Sequence, residues 1–200
     1  TVRIEELPGR RPVAIFRQSE GDSPHYPLGR YAMSGDRSLL AVAALGAKDS
    51  PAQKRGNVKI WRANDSEPVA TLTEVGPVLS LSFSPDDRIL ATGNEDGLVK
   101  FWDVGTYKER MSIKAHDGES PEVLGLHFRP SGDLIMTGCY GEVKLLDVSS
   151  GHLVARLAPG AEYRPPIGAF SFSPDGTRFP SVWKVTESKV EINIWRVIEQ

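Results

Sequence analysis

Residues 78–104 read V-L-S-L-S-F-S-P-D-D-R-I-L-A-T-G-N-E-D-G-L-V-K-F-W-D-V, and this stretch sets the pattern for the whole chain. Leu79, Leu81 and Phe83 alternate with serines, so one side of an extended strand is apolar. A Ser-Pro-Asp turn follows, then a second apolar run, a second turn and a third run that ends at Trp102. This alternation, with turn residues about every ten positions, predicts short antiparallel strands.

The same pattern occurs four times along the 200 residues. Two markers, one at the end of the first strand and one in the third strand, recur with a period of about 45 residues, which indicates a repeat protein. We place the units at about 26–72, 73–115, 116–158 and 159–197. The first marker is Met33, Phe83, Phe128 and Phe172, and the second is Trp61, Trp102, Leu146 and Trp195.

Four strands fit each of the first three units, and three fit the last, at about 168–172, 178–183 and 190–195. Residues 12–17, P-V-A-I-F-R, predict one more strand. This strand either completes the last unit and closes a ring through both ends of the chain, or it ends a preceding unit of a larger ring. The sequence leaves both alternatives open.

The motifs F-S-P-D, L-A-T-G-x-x-D-G and V-K-x-W-D together resemble the WD-repeat (WD40) β-propellers. The resemblance implies an all-β fold of four-stranded antiparallel blades in a single domain over residues 1–200. The four units form a closed four-blade ring or part of a larger propeller. Since the family usually has seven or more blades, a homodimer would complete the ring if these units are half of it.

The resemblance also implies a hydrogen-bond chain in a blade, formed by a His, a Ser or Thr, an Asp and the Trp. We expect no unit to have the whole chain, so apolar packing should carry more of the stability. In the second unit we assign Asn94 to the hydroxyl position beside Asp96 and Trp102, and in the third we assign Cys139 to it, with His116 present and Leu146 in place of Trp.

Composition limits the function. Lys and Arg number 24 against 26 Asp and Glu, and this near balance argues against nucleic-acid binding. No apolar run approaches 18 residues, so we expect no membrane partner. The single cysteine, Cys139, excludes an internal disulfide. With no signal-peptide pattern at the start, we expect a cytoplasmic protein.

The sequence offers no catalytic constellation. The four histidines lack metal-ligand spacing, and residues 94–97 begin like a calcium loop without the downstream Glu. No nucleophile elbow, P-loop or dinucleotide-binding glycine motif follows a strand. We therefore expect no catalytic, metal or cofactor site and no enzymatic activity.

The resemblance implies that loops between second and third strands, and loops that lead into first strands, share a partner-binding face. Long loops, Tyr and Arg are typical of such surfaces. We predict a non-catalytic interaction scaffold for a protein or peptide; the alternative is a sensory or substrate-gating propeller of a larger enzyme, such as a peptidase or signalling ATPase. The candidate partner-binding residues are Lys48, Lys54, Arg55, Glu95, His116, Tyr140, Tyr163 and Arg164.

Overall fold

The structure is a computed structural model. It describes residues 2–6, 11–16, 30–44, 56–63, 65, 67–73, 76–158, 171–184 and 190–198. All regular secondary structure in these residues is β. No helix that could span a membrane occurs in them.

Twelve strands form three four-stranded antiparallel sheets, which we call blades 1, 2 and 3. A hairpin of β1 (Val2–Glu6) and β2 (Arg11–Phe16) precedes them, and a pair of strands follows. Blade 1 contains β3 (Tyr31–Met33), β4 (Leu39–Ala44), β5 (Asn57–Arg62) and β6 (Ala70–Thr73). Blade 2 contains β7 (Val78–Phe83), β8 (Ile89–Asn94), β9 (Leu98–Asp103) and β10 (Glu109–Lys114). Blade 3 contains β11 (Gly125–Phe128), β12 (Leu134–Cys139), β13 (Glu142–Asp147) and β14 (Leu153–Leu157). The final pair is β15 (Arg178–Lys184) and β16 (Val190–Arg196).

Strand order within each blade follows the chain, so every strand pairs with the next one in sequence. The four-stranded repeat unit predicted from the sequence is therefore confirmed for blades 1 to 3. Blades 2 and 3 share one register: Thr92 pairs with Lys100 in the former, and Thr137 pairs with Lys144 in the latter. Equivalent positions can thus be compared directly.

The apolar core lies between successive blades, where each sheet buries its faces against its neighbours. One cluster joins blades 1 and 2, a second joins blades 2 and 3, and a third reaches from blade 3 to Phe179 on β15. Burial of about 25 cal/mol per Å² of apolar surface makes these contacts the main stabilising force. The largest side chains of the three clusters include Trp102, Phe101 and Met136.

The antiparallel order divides the connections between two ends of each blade. Turns between first and second strands, and between third and fourth strands, lie at one end, which we call the turn face. Turns between second and third strands, and the connections that lead to the next blade, lie at the other end, which we call the loop face. The two faces carry different chemistry.

The Ser-x-Asp sequences build the turn face. The Ser84 hydroxyl donates to the Asp86 carboxylate at 2.6 Å, and its oxygen accepts the backbone N–H of Ile89 at 2.9 Å. Ser34 and Ser173 make the same pair of bonds in their own turns. These bonds satisfy turn backbone groups locally, which explains the recurrence of Ser and Asp.

The structure differs from the sequence predictions in two parts of the described chain. Strand β1 was not predicted, and β2 pairs with it; among the described strands, β16 pairs with β15. The described pairings therefore do not include a pair between residues 12–17 and the last unit, which was one of the two alternatives that the sequence left open. The strand expected at 168–172 falls largely outside the described residues, and 171–172 are not in a strand.

Candidate functional site

One part of the described loop face is built from residues 94–98 of blade 2, residues 139–142 of blade 3 and the connection 115–124 between them. Backbone bonds fix the connection: Val123 donates to the Asn94 carbonyl at 3.0 Å, and His116 donates to the Gly97 carbonyl at 3.1 Å. The buried Ser80 hydroxyl donates to the Val123 carbonyl at 2.7 Å. On the other side, Leu124 donates to the Gly138 carbonyl of blade 3 at 2.8 Å, so the connection is held against both blades.

Close packing explains Gly97, which ends the second turn of blade 2. Its φ is +80°, and a Cβ added there would lie 2.2 Å from the carbonyl oxygen of His116. Only glycine accepts this backbone angle without strain and leaves room for that carbonyl. The glycine thus permits the direct contact between the turn and the connection.

A buried polar network lies beneath the connection and centres on His116, which has no exposed surface. Its Nδ1 lies 2.9 Å from Glu142 Oε2, and its Nε2 lies 2.9 Å from Thr137 Oγ1. Because an ionised carboxylate only accepts, Nδ1 carries the proton and Nε2 accepts from the threonine hydroxyl. Both ring nitrogens are then satisfied, as burial requires.

Two cations complete the network around Glu142. Lys144 Nζ lies 3.1 Å from Oε2 and also donates to the Ala115 carbonyl at 2.8 Å. Arg156 Nε donates to Oε1 from the outer strand β14. The carboxylate therefore ties the connection to both β13 and β14 of blade 3.

The network corrects the assignments made from sequence. The assignment of Cys139 to the hydroxyl position is wrong, because the Thr137 hydroxyl bonds the histidine. Asn94 is likewise not the hydroxyl equivalent, since Thr92 Oγ1 accepts Trp102 Nε1 at 3.0 Å. Asn94 instead accepts the backbone N–H groups of Asp96 and Leu98.

In blade 3, Glu142 is the acidic residue that bonds the histidine, and no residue was assigned to this position from the sequence. The second turn of blade 3 has two residues, 140 and 141, between paired Cys139 and Glu142, whereas residues 95–97 separate Asn94 from Leu98 in blade 2. A shorter turn has no place for an Asp like Asp96. The longer Glu side chain, one step further on, reaches the histidine instead.

The surroundings set the charge states of the network. Burial lowers the pKa of His116 below its usual range and outweighs the Glu142 carboxylate, which acts to raise it. Burial would raise the pKa of Glu142, but hydrogen bonds from His116, Arg156 and Lys144 together lower it. The network at neutral pH thus contains a neutral imidazole, an ionised carboxylate and two cations.

His116, Cys139 and Glu142 place one ligand-type atom each within 4.8 Å of one another. This donor set resembles that of a zinc site. However, both imidazole nitrogens are bonded, and Lys144 and Arg156 already neutralise the carboxylate. A dication would have to displace these bonds beside two fixed positive charges, so the arrangement fits a structural hydrogen-bond network better.

Cys139 and His116 also lie close enough to suggest a nucleophile and a base. Burial raises the pKa of the Cys139 thiol to about 11, with a further contribution from the Glu142 charge. At pH 7 the thiolate fraction is then only about one in 10⁴. The thiol is therefore inert, and the histidine already bonds other groups.

The structure separates the candidate partner-binding residues into three groups. Glu95 is exposed, and Tyr140 exposes 39% of its surface at the tip of the blade 3 turn. His116 is internal and contributes to the face through the connection that it anchors. Outside the described residues lie Lys48, Lys54, Arg55, Tyr163 and Arg164.

Acidic side chains predominate among the exposed residues of the described loop face. This acidic surface was not predicted from the sequence, although residues 94–97 and 115–124 are rich in Asp and Glu. Partial burial and the charges of Asp96 and Glu122 raise the pKa of Glu95. Burial is the larger cause of this rise, and repulsion from the two neighbouring carboxylates adds to it. The exposed acidic residues are Glu95, Asp96, Asp117 and Glu119, with Lys114 lying 4.0 Å from Asp117.

Comparison with known families places two of the repeats. The family model described as WD domain, G-beta repeat (WD40) matches residues 66–103 and 107–147. The first segment contains β6 and then β7 to β9, and the second contains β10 and then β11 to β13. Each match therefore joins the outermost strand of one blade to the first three strands of the next. The resemblance inferred from sequence is thereby confirmed.

Curated relatives share the repeats at moderate identity. The chain is 28% identical over 149 residues to pre-mRNA-processing factor 19 of Oryza sativa subsp. japonica, covering 69% of this chain and 28% of that protein. It is 35% identical over 102 residues to the WD repeat-containing protein 26 homolog of Drosophila melanogaster, covering 48% and 16%. Identity to nucleoporin Nup43 of Mus musculus is 39% over 84 residues, covering 38% and 21%. The aligned part of this chain thus spans less than a third of each of these relatives.

The fold also occurs among solved structures. A chain in a crystal structure of the mitotic checkpoint complex superposes with a TM-score of 0.65 at 22% identity, covering 88% of this chain and 50% of that one. At this identity the likeness concerns the fold alone. The blades and their mutual packing are therefore those of a β-propeller.

Proposed function

Because this chain carries repeats of the WD40 family, we propose that it is a non-catalytic scaffold that presents the loop face to a protein or peptide. The anchored connection 115–124 is the observation that carries this proposal. Its backbone bonds to Asn94 and Gly97, and the network around His116, hold it in place from below. A preorganised surface loses little conformational entropy when a partner binds.

The charge of the loop face supports a partner with basic side chains. Four exposed carboxylates surround the turn and the connection, and one lysine offsets part of their charge. Tyr140 adds an exposed aromatic ring at the same end of the neighbouring blade. Complementary charge mainly accelerates encounter and selects partners, while aromatic residues supply contact energy.

The proposal that the protein has no catalytic function of its own rests on the state of its reactive groups. The Cys139 thiol stays protonated, and His116 has both nitrogens engaged inside the network. We also propose a cytoplasmic location, which the presence of a single cysteine supports. Imaging of the tagged chain in intact cells would test the location.

Photocrosslinking tests the scaffold proposal. A benzoylphenylalanine placed at Glu95 or Tyr140 should form one discrete protein adduct in native extract, and the same group at Lys108, on the turn face, should not. Changing Asp96 and Asp117 together to Lys should abolish the adduct, whereas Lys108→Glu should leave it unchanged. Adducts that form equally from both faces, or survive the Lys variant, would refute the proposal.

A further inference from the structure

The turn face offers a second site at one of the three described junctions between neighbouring first turns, because side chains bridge the other two. Between blades 1 and 2, the Asp87 carboxylate accepts the backbone N–H groups of Gly35 at 2.6 Å and Asp36 at 2.9 Å. Between blade 3 and the last unit, Arg129 Nε donates to the Gly176 carbonyl at 2.9 Å. A side chain therefore crosses each of these two junctions.

The junction between blades 2 and 3 has Gly132 at the position equivalent to Asp87. Both residues have positive φ, and both donate their N–H to the first residue of their turn. With no side chain to reach across, a cavity of about 350 Å³ opens between the turns. This volume is at the lower end of the range for ligand pockets, about 300–1,000 Å³.

The lining of this cavity defines the chemistry of its occupant. Pro85 and Pro130 form two rigid apolar walls, and Asp86 is the only charged residue among the described residues that line it. Its carboxylate accepts the Ser84 hydroxyl and the Arg88 N–H, which keep it ionised. Arg88 Nε lies 4.0 Å away, but both side chains are mostly exposed, so this pair is weak and can be displaced.

We propose that this junction cavity binds a lysine or arginine side chain of a protein partner, at a site separate from the loop face. The aliphatic stem would lie between the two prolines, and the cationic head would contact Asp86. Such side chains commonly bury their methylene groups and keep the charged end in contact with polar groups. The site does not depend on the loop face, so each can be tested alone.

Arginine analogues provide a direct test by NMR of the whole chain. Acetyl-arginine amide should shift the backbone amide signals of Ser131 and Gly132 in a saturable way. Acetyl-citrulline amide, which has the same shape without the charge, should not. Equal shifts from both probes, or shifts that do not saturate, would overturn the proposal.

Matched variants locate the binding charge. Asp86→Asn keeps a side-chain oxygen for Ser84 and should weaken arginine binding by up to about fivefold, since one exposed charge pair is lost. Asp175→Asn, at the equivalent position of the last unit, should leave the affinity unchanged. If Asp86→Asn does not fold, Ser131→Trp fills the cavity from an exposed position and should abolish binding; unchanged affinity in that variant would overturn the proposal.

Discussion

Two threonines at the same register position show how a single hydroxyl can serve different networks. Thr92 accepts the indole N–H of Trp102, whereas Thr137 donates to the imidazole of His116. In blade 3, Leu146 stands where blade 2 has Trp102, so this position of the third strand offers Thr137 no indole N–H to accept, and the threonine donates its proton to His116. The replacement of Trp by Leu in the third strand is thus accompanied by a different hydrogen-bond partner for the threonine hydroxyl.

Removing the Thr137 hydroxyl should destabilise the protein. Thr137→Val keeps the shape but leaves Nε2 of a fully buried imidazole without its donor, at a cost of about 1–3 kcal/mol. Thr71→Val, at an exposed position of β6, is the control and should change the free energy of unfolding by less than about 0.5 kcal/mol. Urea denaturation followed by tryptophan fluorescence measures both; equal effects would contradict the role of the network.

Burial of His116 predicts a loss of stability in acid. Its folded pKa is lowered, so below the unfolded value of about 6.5 the unfolded chain binds a proton that the folded chain resists. The free energy of unfolding should therefore fall between pH 7 and pH 5, and His127, whose pKa burial also lowers, adds to the fall. His116→Gln should flatten this dependence; a pH profile parallel to that of the unaltered protein would show that His116 is not responsible.

Gly97 should be intolerant of even a methyl group. Gly97→Ala combines left-handed strain with a clash against the His116 carbonyl, for a loss of roughly 3 kcal/mol or more. Gly118→Ala is the matched control, since its φ is +103° but nothing lies within 4 Å of the added carbon. It should lose only the strain energy, about 1–2 kcal/mol. Thermal denaturation distinguishes the two, and similar losses would argue against the clash.

Turns are the elements in which local strain is balanced by long-range bonds. Arg37 and Asp87 both hold the left-handed conformation, with φ of 63° and 57°, where the other two first turns have Gly132 and Gly176. Asp87 is tied to blade 1 through two backbone N–H groups. Its carboxylate therefore offsets the cost of its backbone angle by joining two blades.

Because Asp87 bonds to blade 1, substitution by glycine should change the free energy of unfolding in opposite directions at positions 37 and 87. Arg37→Gly should raise the free energy of unfolding by up to about 1 kcal/mol, because the strain is relieved. Asp87→Gly should lower it by about 1–2 kcal/mol, since two charge-assisted bonds are lost with the strain. Chemical denaturation at neutral pH measures both, and a gain in stability for both variants would show that the Asp87 bridge contributes nothing.

The strands could be predicted from the sequence, whereas the residues of the buried network could not. Alternating apolar residues and Ser-x-Asp turns carry enough local information to place all twelve strands of blades 1 to 3. The hydroxyl positions were misassigned because Thr92 and Asn94, like Thr137 and Cys139, lie two positions apart on the same side of one strand. The hydrogen bonds of the folded blades distinguish them. Glu142 was missed because the second turn of blade 3 is one residue shorter than that of blade 2, so its acidic residue lies after the turn and not within it.

At the scale of the whole molecule, the blades share their cores and should not unfold separately. Phe101 belongs to the cluster between blades 2 and 3 and exposes 1% of its surface. Phe101→Ala should cost about 3–5 kcal/mol through lost burial and a cavity. The unfolding transitions monitored by circular dichroism and by fluorescence should still coincide. Separate transitions would show that the blades are independent units.

Pairing of each strand only with its neighbours along the chain has a consequence for synthesis. A blade needs no segment from a distant part of the sequence, so its hydrogen bonds can form as soon as some 45 residues have left the ribosome. Blade 1 can then provide an apolar surface on which blade 2 assembles, and blade 2 can do the same for blade 3. The order of translation and the order of assembly would coincide, which limits the time that any sheet face spends exposed to aggregation.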